Sequence, residues 1–589
     1  MSKKLMRKKL ALMLANLKKK RPFYCELEYL ESTGTQYIDT GYKFTSNMRF
    51  KINHIPTGSI SDNYFTGHYA PDNKMFMGGF YQNKCIWGIG QLQENTINAS
   101  ANQRFVIDMT YTSNSSENTS SVSGTINGQS VSLTSIALQN FVYGLNILAF
   151  ARNNNGSVGH YLSCKLYSFQ IYDNGTLVRD MIPVLDWNYT PCMYDKVSGE
   201  LFYNQGTGDF TAGREIHYVG YLESTGTQYI DTGFKPSNTA GYYAKFAYSE
   251  TTDESTVALG ARTSGQDNRW WLNISTDVEG IVFGFGPYFS TLTEAPQNTV
   301  LEASCNLYND RKYKYITKNW QGNISTTCPD VPFNAYLYAA NVSGVLTLPV
   351  QNLKLYSVKF TDGSSLARDF CPAIDENGVG YLFDQVSHTI FDNAGTGNFA
   401  YPPVEIEYLE STGTQYIDTG VNADSNLGIE TQAQLTTIAR DQYMGAMKQE
   451  GGSYLRHHLS LGATEIYAYH LYQTRYDFTK DTNKHYIAYN AQEHKLIFDD
   501  TVQTTSSDSF DTGLNYWLFK LNNNAGLTFN FAIRLFYFKM YKSGILVRDF
   551  IPCYKDGALG MWDKANNVFY QNAGTGTFNV GRILEKEYE

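Results

Sequence analysis

The side chains able to do chemistry in this chain fall into two groups. One group returns three times at fixed places. Glu31, Glu223 and Glu410, with Asp39, Asp231 and Asp418, lie in one recurring block; Arg179-Asp180, Arg368-Asp369 and Arg548-Asp549 lie in another, followed by Asp195, Asp384 and Asp563. Paired carboxylates can serve as acid and nucleophile at a glycosidic bond or hold a cation. Residues that confer specificity should differ between copies, however, and these do not. They are expected to partner the arginines and turn amides as a structural repeat motif, because buried charges must be paired. The second group changes from copy to copy. Trp87, the run Arg269-Trp270-Trp271, and Tyr467, Tyr469, Tyr472 and Tyr476 offer flat apolar faces with polar tips, which suits contact with sugar rings. They are the expected ligand contacts, with core packing as the competing use.

Other chemistries find little support. Five of the ten histidines (His457, His458, His470, His485, His494) share one stretch, but without the spacing and acidic third ligand of a zinc site, and read as solvent-facing strand residues. No metal ligand or cofactor is assigned, and calcium has no motif behind it. There is no GxxxxGK[ST], HExxH, GxSxG or EF-hand loop, and no catalytic residue is assigned: the chain is expected not to be an enzyme. Gly284-Phe285-Gly286 reads as a turn, as do Asp375-Glu376 and Asp499-Asp500.

The elements that must position these residues are set by repetition. YLESTGTQYIDTG occurs identically at 29–41, 221–233 and 408–420. A closing block follows each copy: KLYSFQIYDNGTLVRDMIP from Lys165, NLKLYSVKFTDGSSLARDFCP from Asn352 and RLFYFKMYKSGILVRDFIP from Arg534. These run on to FYNQGTGDF, FDNAGTGNF and YQNAGTGTF. Alternation of Tyr167, Phe169 and Ile171, of Tyr356, Val358 and Phe360, and of Phe536, Phe538 and Met540 predicts a strand with these residues on one face. Asn174-Gly175, Asp362-Gly363 and Ser543-Gly544 then predict tight hairpins. Head and tail recur together while the middle drifts, so the two ends are expected to pair side by side and close each unit, as two face-to-face antiparallel sheets allow.

Composition agrees. The 589 residues are 42% hydrophobic and only 17% charged, against a usual ~25%, and 46 Tyr and 34 Phe favour pleated strands. A helical bundle or coiled coil is excluded. Nine of the 47 Lys and Arg lie in residues 1–21, leaving 38 against 56 acids. So acidic a body is a poor partner for nucleic acid, whose binding rests on phosphate neutralisation. No apolar run approaches the ~18 residues of a membrane-spanning helix. The eight cysteines form no CxxC and no zinc spacing, and read as small apolar fillers.

The head block, the tail VRDxIP and the closing NAGTGxF together resemble the laminin-G-like, concanavalin-A-like jelly-roll domains of bacteriophage and gut-bacterial surface proteins. The resemblance implies an all-β chain of three tandem antiparallel sandwiches at 24–214, 215–402 and 403–589. Ahead of them, residues 1–23 read as a short basic amphipathic helix that acts as an anchor, ended by Pro22. Laminarinase-type relatives carry an acidic ExDxE strand that is not found in this sequence. The resemblance further implies a virion structural protein, a head or tail fibre or decoration component, that binds bacterial surface glycans at the virion surface. It would be a homo-oligomer holding other virion proteins through its N-terminal segment. Alternatives are a secreted or cell-wall adhesin, and a glycoside hydrolase with a non-standard site.

Overall fold

The computed structural model describes residues 21–584 except 46, 71–73, 90–91, 115, 117–118, 138–143, 250–254, 266–267, 276–279, 293–294, 438–441, 462–465, 471, 477–480 and 525–531. The helix expected in the basic N-terminal segment lies outside the described residues. The described chain is almost wholly antiparallel β, its one helical element being the 3-10 turn Ile316–Lys318.

Each repeat builds one sheet in the same order. In repeat 1, strand Asn47–Pro56 lies between Phe105–Asn114 and Cys164–Asp173. The latter continues into Thr176–Asp186 and Pro191–Asp195. Repeat 2 repeats this with Ala240–Tyr248 between Leu301–Asn306 and Gln351–Asp362, and repeat 3 with Leu427–Leu435 between Lys484–Asn490 and Ile533–Lys542. A second sheet faces the first across an aromatic core. In repeat 1, Phe50 of one sheet meets Phe76 of the other at 5.0 Å; in repeat 2, Trp270 and Phe360 meet edge-on at 5.1 Å.

The expected pairing of the two ends occurs three times. Leu30–Ser32 lies against Cys164–Leu166, Leu222–Ser224 against Leu353–Leu355, and Leu409–Glu410 against Arg534–Leu535. The hairpins follow the Asn-Gly, Asp-Gly and Ser-Gly signals. Asn174, Gly175, Ser543 and Gly544 all take positive φ, the conformation that lets a two-residue turn follow the strand twist.

The expected one-face alternation needs correction. A register shift places a β-bulge at Tyr167, Tyr356 and Phe536. An extra residue at that point sends its side chain to the opposite face. The inward set is therefore Leu166, Phe169 and Ile171, or Leu355, Val358 and Phe360, or Leu535, Phe538 and Met540. The bulged ring instead packs outside, on the tyrosine that opens the head block: Tyr167 on Tyr29, Tyr356 on Tyr221 and Phe536 on Tyr408, at 5.5 to 5.6 Å.

Repeats 1 and 2 share one sheet. Strand Phe23–Leu27 pairs on one side with Thr176–Asp186 and on the other with Glu215–Tyr218, which also pairs with Ser365–Ile374. Repeats 2 and 3 meet through side chains: the Tyr401 hydroxyl donates to the Gly378 carbonyl and accepts from the Gly557 amide. The end of repeat 3 returns to repeat 1, where Arg582 donates to the Trp187 carbonyl and the Tyr24 hydroxyl donates to the Ile583 carbonyl.

Candidate binding site at the junction of the repeats

The repeated polar residues form a clasp between head and tail. The amides of Gln36, Gln228 and Gln415 are all but fully buried, yet each is satisfied on both ends. Gln36 Oε1 accepts from the Thr33 amide and the Ser32 hydroxyl, and Nε2 donates to the Asp209 carbonyl. The same bonds recur from Gln228 to Asn398 and from Gln415 to Thr577. The S-T-G-T-Q and G-T-G segments recur together because one loop hydrogen-bonds the other. Asp195, Asp384 and Asp563 have no exposed surface. Each accepts the backbone amide of the Asp in the Arg-Asp pair, at 2.7 to 2.9 Å, with Arg179, Arg368 or Arg548 within 3.5 to 3.7 Å. These arginines also donate to the carbonyls of Thr40, Thr232 and Thr419 in the head strand.

Asp39, Asp231 and Asp418 accept from the Gly amide two residues on and from Asn146, Asn334 and Asn515. The carbonyl of each of these asparagines is bonded by a second Asn seven residues later: Asn153, Asn341 and Asn522. This N-x6-N signal is present in the sequence but is masked by the drifting residues around it. Glu410 ion-pairs with Arg534, Glu223 lies 3.8 Å from Lys354, and Glu31 faces Lys165 across the ladder. Asp180 accepts from Gln170, while Asp369 and Asp549 lie 2.9 and 3.8 Å from Lys359 and Lys564.

The expected aromatic contacts sit largely inside. Trp87 is completely buried among Phe65, Phe76 and Tyr111, and Trp270 is equally closed against Tyr242 and Phe360. A ring without an open face cannot stack on a sugar. Trp271 points to the other face of its sheet, where the guanidiniums of Arg262 and Arg269 cover it and Arg269 is itself buried. Gly284 is a strand residue rather than part of a turn: a Cβ there would fall 2.1 Å from the Trp271 indole nitrogen. Only Gly286, with φ +56°, belongs to the turn. Tyr467 and Tyr469 lie on strand Ile466–His470, and Tyr472 and Tyr476 on Tyr472–Tyr476; their side chains lie outside the described residues. In the histidine stretch, His457 Nε2 donates to the Leu427 carbonyl within the core, and His485 sits between Asp481 and Asp499. His457 and His458 are buried rather than solvent-facing.

Where the three repeats converge, a cavity of about 470 Å³ opens, which composition and motif spacing do not reveal. Three of its walls are rings carrying a cation: Lys484 over Phe536, Arg534 over Tyr408 and Arg582 over Tyr189, at 3.3 to 4.5 Å. Glu215, Glu376 and Glu407 supply carboxylates to the same space, and the Glu376 carboxylate accepts the Glu215 amide. Burial depresses the Lys484 ammonium below its ordinary value and pushes the Tyr189 hydroxyl up to about 12. The cavity thus offers fixed donors and fixed acceptors together, the cations being held in place by the rings they cover. The tail strand brings Phe536 there because its bulge turns that ring outward.

A second, open surface lies on the free edges of repeat 2. Tyr288 stacks on Phe285, and Tyr313 bridges Phe285 to Trp320 at 5.4 Å on either side. Phe289 is 53% exposed and Trp320 38%, so solvent reaches rings held by a buried one.

No protein-family model matches the chain, and no curated protein matches it in sequence. Among solved structures, it aligns with the LG1-3 region of the laminin alpha2 chain at 10% identity, over 94% of this chain and 100% of that one, with a TM-score of 0.26. It also aligns with domains LG4-5 of the mouse laminin alpha1 chain at 10% identity, over 57% and 89%, with a TM-score of 0.22. The paired sheets described above, rather than these loose superpositions, carry the sandwich architecture.

Proposed function

We propose that the chain is a non-catalytic binding protein that takes a surface glycan in the cavity between its repeats. The observation that carries this reading is the cavity wall itself: cations seated on aromatic rings, with three glutamates lining the same space. Sugar hydroxyls need donors and acceptors at fixed positions, and these cations and carboxylates supply both. The finer reading is three laminin-G-like modules of a bacteriophage virion protein, a fibre or decoration component at the virion surface. It would contact bacterial glycans, associate as a homo-oligomer and hold other virion proteins through residues 1–23. The motif resemblance and the basic charge of that segment support it, and linked modules gain from effective concentration. A secreted or wall-associated adhesin differs in that its first residues would be removed.

A glycan array probed with the full chain tests the binding. A bound glycan whose signal falls in both Lys484→Ala and Arg582→Ala is expected, and absence of binding to any glycan sinks the reading. Recovery of the chain, with Met1–Arg21 intact by mass, from purified particles tests the virion role. Glu215, Glu376 and Glu407 lining one space favour a second reading, a glycoside hydrolase. Turnover of the bound glycan that is lost in Glu407→Gln would establish it, and no turnover would retire it.

A further inference from the structure

We propose that the joint between repeats 1 and 2 is a zinc-type metal site made by Cys25, Glu215 and His217. One ligand atom from each, a thiol sulfur, a carboxylate oxygen and an imidazole nitrogen, lies within 4.8 Å of the other two. The sheet explains the arrangement. Strands Phe23–Leu27 and Glu215–Tyr218 pair with Glu26 opposite Ile216 and Leu27 opposite Glu215, and the same register sets Cys25 opposite His217. Glu215 and His217 are two residues apart and so share a face with it.

Thiolate, imidazole and carboxylate together are a zinc donor set. The sulfur selects against calcium and magnesium, which take oxygen ligands. Around a tetrahedral ion with bonds of about 2.0–2.3 Å, ligand atoms stand roughly 3.3–3.8 Å apart. The 2.7 Å contact between His217 Nε2 and Glu215 Oε2 would need to open only by a rotation of the partly exposed glutamate. Cys25 and His217 are buried at 0% and 1% exposure, so the ion would be shielded. Glu215 also lines the junction cavity, which makes a cavity water the natural fourth ligand.

The donors belong to this joint alone. At the same distances before the head block, repeat 1 has Phe23 and Cys25, and repeat 3 has Pro402 and Val404. The ligands come from the first strand of repeat 1 and the strand leading into repeat 2, so the ion staples the two repeats. Its binding energy is added to the stability of the joined sheet. The site shares Glu215 with the glycan cavity, but metal binding is read without any glycan, so either reading can fail alone.

The test is titration of the reduced, chelator-treated full chain with Co²⁺ followed by Zn²⁺. One Co²⁺ per chain is expected, with a thiolate charge-transfer band and tetrahedral visible bands that Zn²⁺ abolishes, and a higher unfolding temperature with either ion. Cys25→Ser should lose the charge-transfer band. His217→Ala should weaken binding by more than the roughly 10–100-fold that losing an outer-shell partner costs, while Cys192→Ser should change neither. Absence of the band in the natural chain, or its survival in Cys25→Ser, overturns the proposal. Should the Cys25 variant misfold by circular dichroism, Glu215→Gln at the partly exposed ligand is read instead, and unchanged Co²⁺ affinity there overturns it equally.

Discussion

The two ends of each repeat and the free edges of its sheets obey opposite rules. At the ends, Gln36, Gln228 and Gln415, the three buried aspartates and their arginines make the same bonds three times. At the edges, repeat 2 exposes Tyr288, Phe289 and Trp320 where its siblings carry other residues. Buried polar groups tolerate few replacements, because each lost partner leaves a desolvated atom behind. Solvent-facing rings have no such constraint and are free to diverge. The contrast teaches that repetition in this chain marks closure, while variation reaches both closed core, as at Trp87 and Trp270, and open edge, as at Phe289 and Trp320.

The sharpest way to break that contrast is at a clasp carboxylate. Asp384→Ala orphans the Asp369 amide and leaves Arg368 without its buried partner. A loss of about 3–5 kcal/mol is expected, read as a lower urea midpoint for the transition of repeat 2; a loss below about 1 kcal/mol would mean the clasp is ornamental. Trp270→Ala should cost a similar ~3–5 kcal/mol because it empties a closed core, whereas a ring meant for ligand would cost far less. Gln228→Leu keeps the volume but strands the Thr225 amide and the Asn398 carbonyl. About 1–3 kcal/mol is expected, again from the urea midpoint.

Acid should act through buried imidazoles. Burial holds His54 and His458 down to about 3 and His68 and His457 down to about 4, below the ordinary ~6.5 of an unfolded histidine. The unfolded chain binds these protons first, so this contribution is fully present above about pH 6.5 and is lost as pH falls through about 4 to about 3. Thermal midpoints falling through that window, and less steeply in His458→Phe, are the expected result. The smallest effect belongs to the edge: Trp320→Ala should cost about 0.5–1.5 kcal/mol, the worth of its contact with the Tyr313 ring.

The sequence was legible where physics is local or repeated. Alternation and Asn-Gly turns announced the strands and hairpins, and three identical heads with three similar tails announced that the ends pair. The aromatic residues were harder to place. Trp87 and Trp270 carry no mark in the sequence to say which face of a strand is closed, and one bulge at Tyr167, Tyr356 and Phe536 reverses the parity that a period of two assumes. The junction cavity and the Cys25, Glu215 and His217 group draw on residues up to several hundred positions apart, so no window of sequence contains them.

By itself, then, the chain's sequence determined an all-β architecture closed by paired termini in every repeat, because turn chemistry, strand periodicity and self-similarity act over short distances. Which rings are core and which are surface, and what meets where the repeats converge, followed from the packing of the folded chain. Those outcomes depend on strand register and on how repeat 3 returns to repeat 1, and both arise from contacts between segments that the sequence keeps far apart.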